Sequence, residues 1–239
     1  AAVLGLSHDE LGFRFELPDF ISLKWGDRID VRTQEGQALS GSPYIHSETK
    51  AYESIQFLFL HIPKTAGTSF RTELERRFGE GYVFPGAHYL KQLNGSYPSI
   101  STFRHLLNEH HENVRAVIGH YNYAELRSVA PNAATLVFLR EPVDRVISFL
   151  KHEKRLNPWA RDKSFEEISG LVNGAANPQI LNLQTRMCSS APPGGNHLES
   201  ALSNLREFEF VGLTDRYNES IQRFNSKFSF ELSGSLRLN

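Results

Sequence analysis

The chain has 239 residues, 40% of them hydrophobic, and a formal net charge of −1. That is enough apolar material for one substantial core, and a charge near zero lacks the global basic field of nucleic-acid binders. A single cysteine, Cys188, excludes an internal disulfide and any cysteine-rich metal site. No run of about 18 apolar residues is present to form a membrane-spanning helix. The opening Ala1-Ala2-Val3-Leu4-Gly5 is too short an apolar stretch for a signal peptide. Together with the lone cysteine it favours a bacterial cytoplasm, with a Golgi-type lumenal domain as the alternative.

Residues 1–50 read as a β-rich extension. Apolar and polar residues alternate from Leu11 to Leu17 and from Ile21 to Thr33, as in Ile29-Asp30-Val31-Arg32. Gln34-Glu35-Gly36 and Ser40-Gly41-Ser42-Pro43 supply turn signals between them. From residue 51 a second domain is expected, in which strands alternate with helices. A strand over 55–61 leads to a helix over 67–79, and the Gly- and Pro-rich stretch 80–101 reads as loop. A short helix over 101–112, a strand over 114–119 and a helical turn over 124–129 come next. A strand over 135–139 precedes a helix over 142–155, with Pro142 in its first turn. Helices over 164–171 and 178–188 are separated by Asn173-Gly174, and Ala191-Pro192-Pro193-Gly194-Gly195 is a loop. A helix over 197–206, a strand over 209–213 and a helix over 216–228 complete the pattern. Strands separated by helices predict an α/β fold with a central parallel sheet covered by helices on both faces.

The most informative stretch is Phe57-Leu58-Phe59-Leu60-His61-Ile62-Pro63-Lys64-Thr65-Ala66-Gly67-Thr68-Ser69. An apolar strand runs into a polar loop that opens a helix, which is the grammar of an anion site. Lys64 offers a cation, Thr65, Thr68 and Ser69 offer hydroxyls, and Gly67 allows close backbone approach. A nucleotide P-loop needs G-x-x-x-x-G-K-[ST], with lysine at its end; here Lys64 comes at the start and no first glycine exists. Ligands in parallel sheets bind at the carboxyl ends of strands. Lys64 follows the first strand of this domain, His120 the second, in Ala116-Val117-Ile118-Gly119-His120, and Arg140 the third, in Leu136-Val137-Phe138-Leu139-Arg140. Three independent strand ends therefore point to one shared site.

The loop resembles the 5′-phosphosulfate-binding loop of sulfotransferases, in the branch of heparan sulfate 2-O-sulfotransferase and its bacterial relatives. The resemblance implies a P-loop-like fold and transfer of a sulfuryl group from 3′-phosphoadenosine-5′-phosphosulfate (PAPS), leaving PAP, with no metal required. It implies that Lys64, Thr65, Ala66, Gly67, Thr68 and Ser69 hold the 5′-phosphosulfate. Leu139-Arg140-Glu141-Pro142-Val143-Asp144-Arg145-Val146-Ile147-Ser148 resembles the second family motif, in which Arg140 and Ser148 would hold the 3′-phosphate. His120 resembles the catalytic histidine and would be the general base, with Lys64 neutralising the leaving group. His61, Gln184 and Arg186 are weaker candidates for substrate contacts. Arg145 is a weaker candidate for the 3′-phosphate; its expected role is that of an exposed helix residue paired with Glu141. The resemblance runs in scattered motifs from about residue 56 to 228 and leaves 80–112 and 157–177 unmatched.

Other residues have blander readings. His88 and His110-His111 lack metal-ligand partners at the usual spacing. Tyr82, Tyr89, Tyr97, Tyr121, Tyr123 and Trp159 could stack on sugar rings or simply fill the core. The expected acceptor is a hydroxyl on a glycan or other small molecule, not a nucleic acid; oligomeric state is left open. Two rivals stand beside this reading. A P-loop kinase would need a Walker aspartate at a strand end, and none follows the second or third strand. A PAPS-binding module without turnover would share the loop.

Overall fold

In Phe57-Leu58-Phe59-Leu60 every residue is buried, so both faces of this strand must be covered. The computed structural model describes residues 28–37, 44–45, 54–86, 90, 97–110, 113–172 and 179–234. The chain separates into two compact units, Ala1–Lys50 and Ala51–Asn239. In the first, β1 (Arg28–Ile29) pairs antiparallel with β2 (Tyr44–Ile45). Between them Gly36 N–H donates to Thr33 O at 2.9 Å, and Gly36 takes a φ of 87°. The alternation expected over 11–27, the turn at 40–43 and the Asn173-Gly174 break lie outside the described residues.

The second unit is built on five parallel strands: β3 (Phe57–Leu60), β4 (Val83–Phe84), β5 (Ala116–Gly119), β6 (Ala134–Leu139) and β7 (Phe210–Leu213). Their spatial order is β4-β5-β3-β6-β7. Helices connect them, as crossovers between parallel strands require: α1 (Gly67–Phe78), α2 (Ile100–His110), α3 (Tyr123–Arg127), α4 (Pro142–Leu156), α5 (Phe165–Val172), α6 (Leu183–Cys188), α7 (His197–Glu207) and α8 (Tyr217–Phe228).

Alternation along β3 splits the core in two. Phe57 and Phe59 face Phe70 and Leu74 of α1 and Ile221 and Phe224 of α8. Leu58 and Leu60 face Phe103 and Leu107 of α2, Leu126 of α3, Leu183 and Met187 of α6, and Ala201 of α7. The first face is an aromatic mosaic: Phe59 meets Phe70 edge-on at 4.8 Å, and Phe224 meets Phe70 at 5.2 Å. Burying each such side chain contributes about 1.5–3 kcal/mol. A smaller cluster of Phe149, Leu150, Ala160 and Ile168 joins α4 to α5.

Element type follows the sequence closely, with two departures. The segment expected to be loop over 80–101 contains β4, a two-residue edge strand paired to β5. A strand that short carries no readable period. The helix expected over 178–188 begins only at Leu183, after Asn182 in a left-handed conformation. Among the described residues no helix is long and apolar enough to cross a membrane.

Candidate active site

The strand order turns outward on both sides of β3, toward β5 on one flank and β6 on the other. A crevice opens at the carboxyl ends of such strands, where the crossovers leave in opposite directions. Leu60 lies opposite Gly119 of β5 and Val137 of β6. His61 and His120 are therefore side by side as the chain leaves the sheet, and Arg140 emerges from the other flank.

The loop after β3 is tied down at several points. His61 N–H donates to Gly119 O at 3.0 Å, and Thr65 Oγ1 donates to Ile62 O at 2.9 Å. The Thr65 side chain is buried, so its proton is spent on the loop itself, whereas Thr68 is exposed. Lys64 and Ala66 adopt left-handed conformations, with φ of 71° and 63°. Two such residues that are not glycine store strain of about 1–3 kcal/mol each, which the surrounding fold must hold in place. Handedness alternates along 64–66, a backbone shape whose N–H groups converge on an anion. Helix α1 starts immediately after it, with no acidic residue in its first turn. The first N–H groups of any helix have no acceptor within it, and the helix dipole adds positive potential.

Cations gather around this loop. Arg140 Nη1 donates to Lys64 O at 3.4 Å, and Arg140 Nε lies 4.0 Å from Asp215 Oδ1. That Nε is buried and makes no hydrogen bond among the described residues. The Lys64 ammonium is pushed below its ordinary value by burial first, then by the neighbouring charges of Arg155 and Arg140. His152 is lowered by burial and by the same Lys64 and Arg155. Arg155 Nη2 stands 3.3 Å from His152 Nδ1. Ser148, His152 and Arg155 recur at helical spacing on α4, so they share one stripe. Ser148 is half-buried on that stripe.

The two histidine rings lie against each other tilted by 33°, with centroids 4.3 Å apart. His61 is buried, lies flat on Phe59 at 5.7 Å, and its Nδ1 has no hydrogen-bond partner among the described residues. Burial, then the charges of His120, Arg71 and Lys64, push its imidazole well below 6.5. His120 Nδ1 is 2.5 Å from His61 O. A carbonyl oxygen can only accept, so Nδ1 carries the proton and Nε2 holds the free lone pair. The residue keeps an exposed edge, yet Tyr97 packs edge-on against its ring at 4.5 Å. This crowding lowers His120 to about 4; the His61 carbonyl opposes the shift and Arg71 adds to it.

Several expected contacts take another form. Gln184 clamps the main chain of Arg140: its Oε1 accepts from Arg140 N at 2.9 Å and its Nε2 donates to Arg140 O at 2.8 Å. Arg186 donates through Nε to Leu181 O at 3.2 Å. Arg145 is not an exposed partner of Glu141: it is buried and donates Nη2 to Gln179 O. Glu141 instead caps α4, accepting from Asp144 N at 2.8 Å. The tyrosines do not form one surface. Tyr121 is buried against Phe103, Tyr123 stacks on Phe208, and Tyr97 packs edge-on against His120. Tyr89 and His88 lie outside the described residues.

Arg71, His152 and Arg155 were not legible as site residues. Arg71 occupies a helix position between Phe70 and Leu74, donates to Pro85 O at 2.5 Å and lies 3.8 Å from Glu75. Only the spacing from Ser148 could have flagged His152 and Arg155. A separate open depression of about 630 Å³ runs along β7 and α8, between Phe208 and Lys227, and shares no residue with this crevice.

A model of the sulfotransferase family matches residues 48–229. The chain belongs to the sulfotransferase family. No curated protein matches it. Among solved structures, a sulfotransferase from Alicyclobacillus acidocaldarius is 14% identical, aligning over 77% of this chain and 86% of that one with a TM-score of 0.49. Mouse sulfotransferase SULT7A1 complexed with PAP is 15% identical, over 78% of this chain and 61% of that one, with a TM-score of 0.42. An uncharacterized protein from Eubacterium ventriosum is 9% identical, over 74% of this chain and 100% of that one, with a TM-score of 0.37. Within this sulfotransferase-family chain, the crevice of Lys64, His120 and Arg140 lies inside the matched residues.

Proposed function

We propose that the chain transfers a sulfuryl group from PAPS to a hydroxyl of a carbohydrate acceptor by in-line displacement, in the manner of the heparan sulfate 2-O-sulfotransferase branch. The observation that carries this reading is the meeting of three strand ends: the loop at Lys64, the imidazole of His120 and the guanidinium of Arg140. The residues present suit a doubly anionic nucleotide. Left-handed Lys64 and Ala66 turn N–H groups toward one point, and Lys64, Arg140 and Arg155 surround it with charge. The carboxylate that pairs with Arg140 is half exposed, on Asp215.

The donor supplies an electrophilic sulfur bonded to a phosphate leaving group. His120 Nε2 takes the proton of the attacking hydroxyl while the new O–S bond forms and the bridging S–O bond breaks. The electron pair stays on the 5′-phosphate of PAP, where the Lys64 ammonium neutralises it. The 64–69 backbone and the exposed Thr68 hydroxyl hold the 5′ end, and Arg140 with Ser148 holds the 3′-phosphate. Positioning and fixed charge supply most of the rate, as in phosphoryl transfer. Negative charge bound in the loop also raises the basicity of His120, because a nearby anion favours imidazolium.

Calorimetric titration with PAP, run against ATP plus Mg²⁺, tests the donor; transfer of labelled sulfate from PAPS to a glycan panel tests the reaction. Tight binding of PAP alone with transfer to a sugar hydroxyl is the expected result. Preference for ATP overturns the reading, and PAP binding without turnover on any acceptor indicates a non-catalytic module.

A further inference from the structure

Gly67 has no backbone need to be glycine, since it is an ordinary first residue of α1 and has no positive φ. What it lacks is room. A Cβ built on Gly67 falls 1.8 Å from His61 Cδ2 and 2.1 Å from His61 Nε2, well inside any non-bonded contact. The His61 ring therefore lies across the bare Cα of the first helical residue. The ring has nowhere to retreat: Phe59 lies parallel to it at 5.7 Å, His120 is 4.3 Å away, and the residue is buried. Interiors packed this closely pass a displacement on to the next side chain. The next side chain is His120, and the His61 main chain also holds its Nδ1.

We propose that His61 and Gly67 are positioning residues for His120: the His61 carbonyl selects the imidazole nitrogen that carries the proton, and the bare Cα of Gly67 provides the slot for the His61 ring, so that anion loop and base move as one unit. The inference rests on His120 being the base of the sulfotransfer reaction. It also gives Gly67 a different purpose from close approach to the ligand. The geometry of the phosphosulfate loop and that of the proton acceptor are then set by the same contact, so a disturbance of either is felt by both.

The test uses the full chain without ligand, with two-bond ¹H–¹⁵N spectra of the imidazoles, the His120 signals being assigned by their loss in His120→Gln. Wild type is expected to show one neutral His120 tautomer, protonated at Nδ1. Gly67→Ala should replace it with a mixture of tautomers. Adding His61→Ala to Gly67→Ala should restore the Nδ1–H form, since the obstructing ring is gone and the main-chain carbonyl remains. An unchanged spectrum in Gly67→Ala, or no recovery in the double variant, overturns the proposal. Should Gly67→Ala not fold, His61→Ala alone decides: it keeps the Nδ1–H form if the main chain selects it, and loss of that form overturns the proposal. A parallel PAP titration separates the two claims. Wild type that binds no PAP sinks the sulfotransfer reading, whereas the spectra, which need no nucleotide, still report on the coupling.

Discussion

Replacing Arg140 by alanine tests the 3′-phosphate assignment most directly. This side chain is 26% exposed, and among the described residues its partners are loose: a 3.4 Å hydrogen bond to Lys64 O and a 4.0 Å ion pair with Asp215, itself 51% exposed. A half-exposed ion pair of that kind is worth about 0.2–1 kcal/mol. Charge-assisted hydrogen bonds to a phosphate contribute about 1.5–3 kcal/mol each. Two such bonds, less the loose contacts surrendered, leave a net loss of about 2–5 kcal/mol, or about 30- to 5,000-fold in PAP affinity. Stability should hardly change, because the lost contacts total less than about 1 kcal/mol, or about 2–4 °C in a domain of this size. Asp215→Asn removes the competing charge and should tighten PAP about two- to fivefold. Calorimetry on the three proteins decides the matter. PAP affinity in Arg140→Ala within about threefold of wild type would refute the reasoning, since no single charge-assisted bond is that weak.

His120→Gln should leave PAP affinity intact and lower kcat by about 10²- to 10⁴-fold, the usual worth of a general base. Because His120 sits at about 4 rather than 6.5, the acid limb of kcat/KM for wild type should fall near pH 4, and a limb at 6.5 would show that its ring is not crowded as described. His61 and His120 are both depressed, so the folded protein binds fewer protons than the unfolded chain below pH 6.5. Their contribution is complete above that pH and is lost as pH falls toward 4 and beyond; urea midpoints should drop from pH 7.5 to pH 5, less so in His61→Phe. Thr65→Val and Thr68→Val should behave oppositely. The first strands a buried carbonyl and costs about 1–3 kcal/mol of stability, whereas the second leaves the melting temperature unchanged and weakens PAP; equal melting temperatures would contradict the buried role of Thr65.

The strand–loop–helix at 57–78 and the alternation of strands with helices were legible because their signals are local. A continuous apolar run needs two covered faces, an amphipathic stretch needs one, and prolines and glycines punctuate both. The placement of Lys64, His120 and Arg140 at strand ends followed from the same periods, since parallel strands expose their carboxyl ends on one edge. The sequence could not show that β5 and β6 both flank β3, which sets His61 beside His120 and Arg140 against the Lys64 carbonyl. Nor could it show that Gln184 grips the Arg140 main chain, that Arg145 is buried, or that Arg71 and Arg155 add charge to the crevice. Each of these contacts joins residues far apart in the chain or depends on which way one side chain leaves its helix. Such pairings leave no period behind; they exist only once the order of the strands and the packing of the helices have been decided.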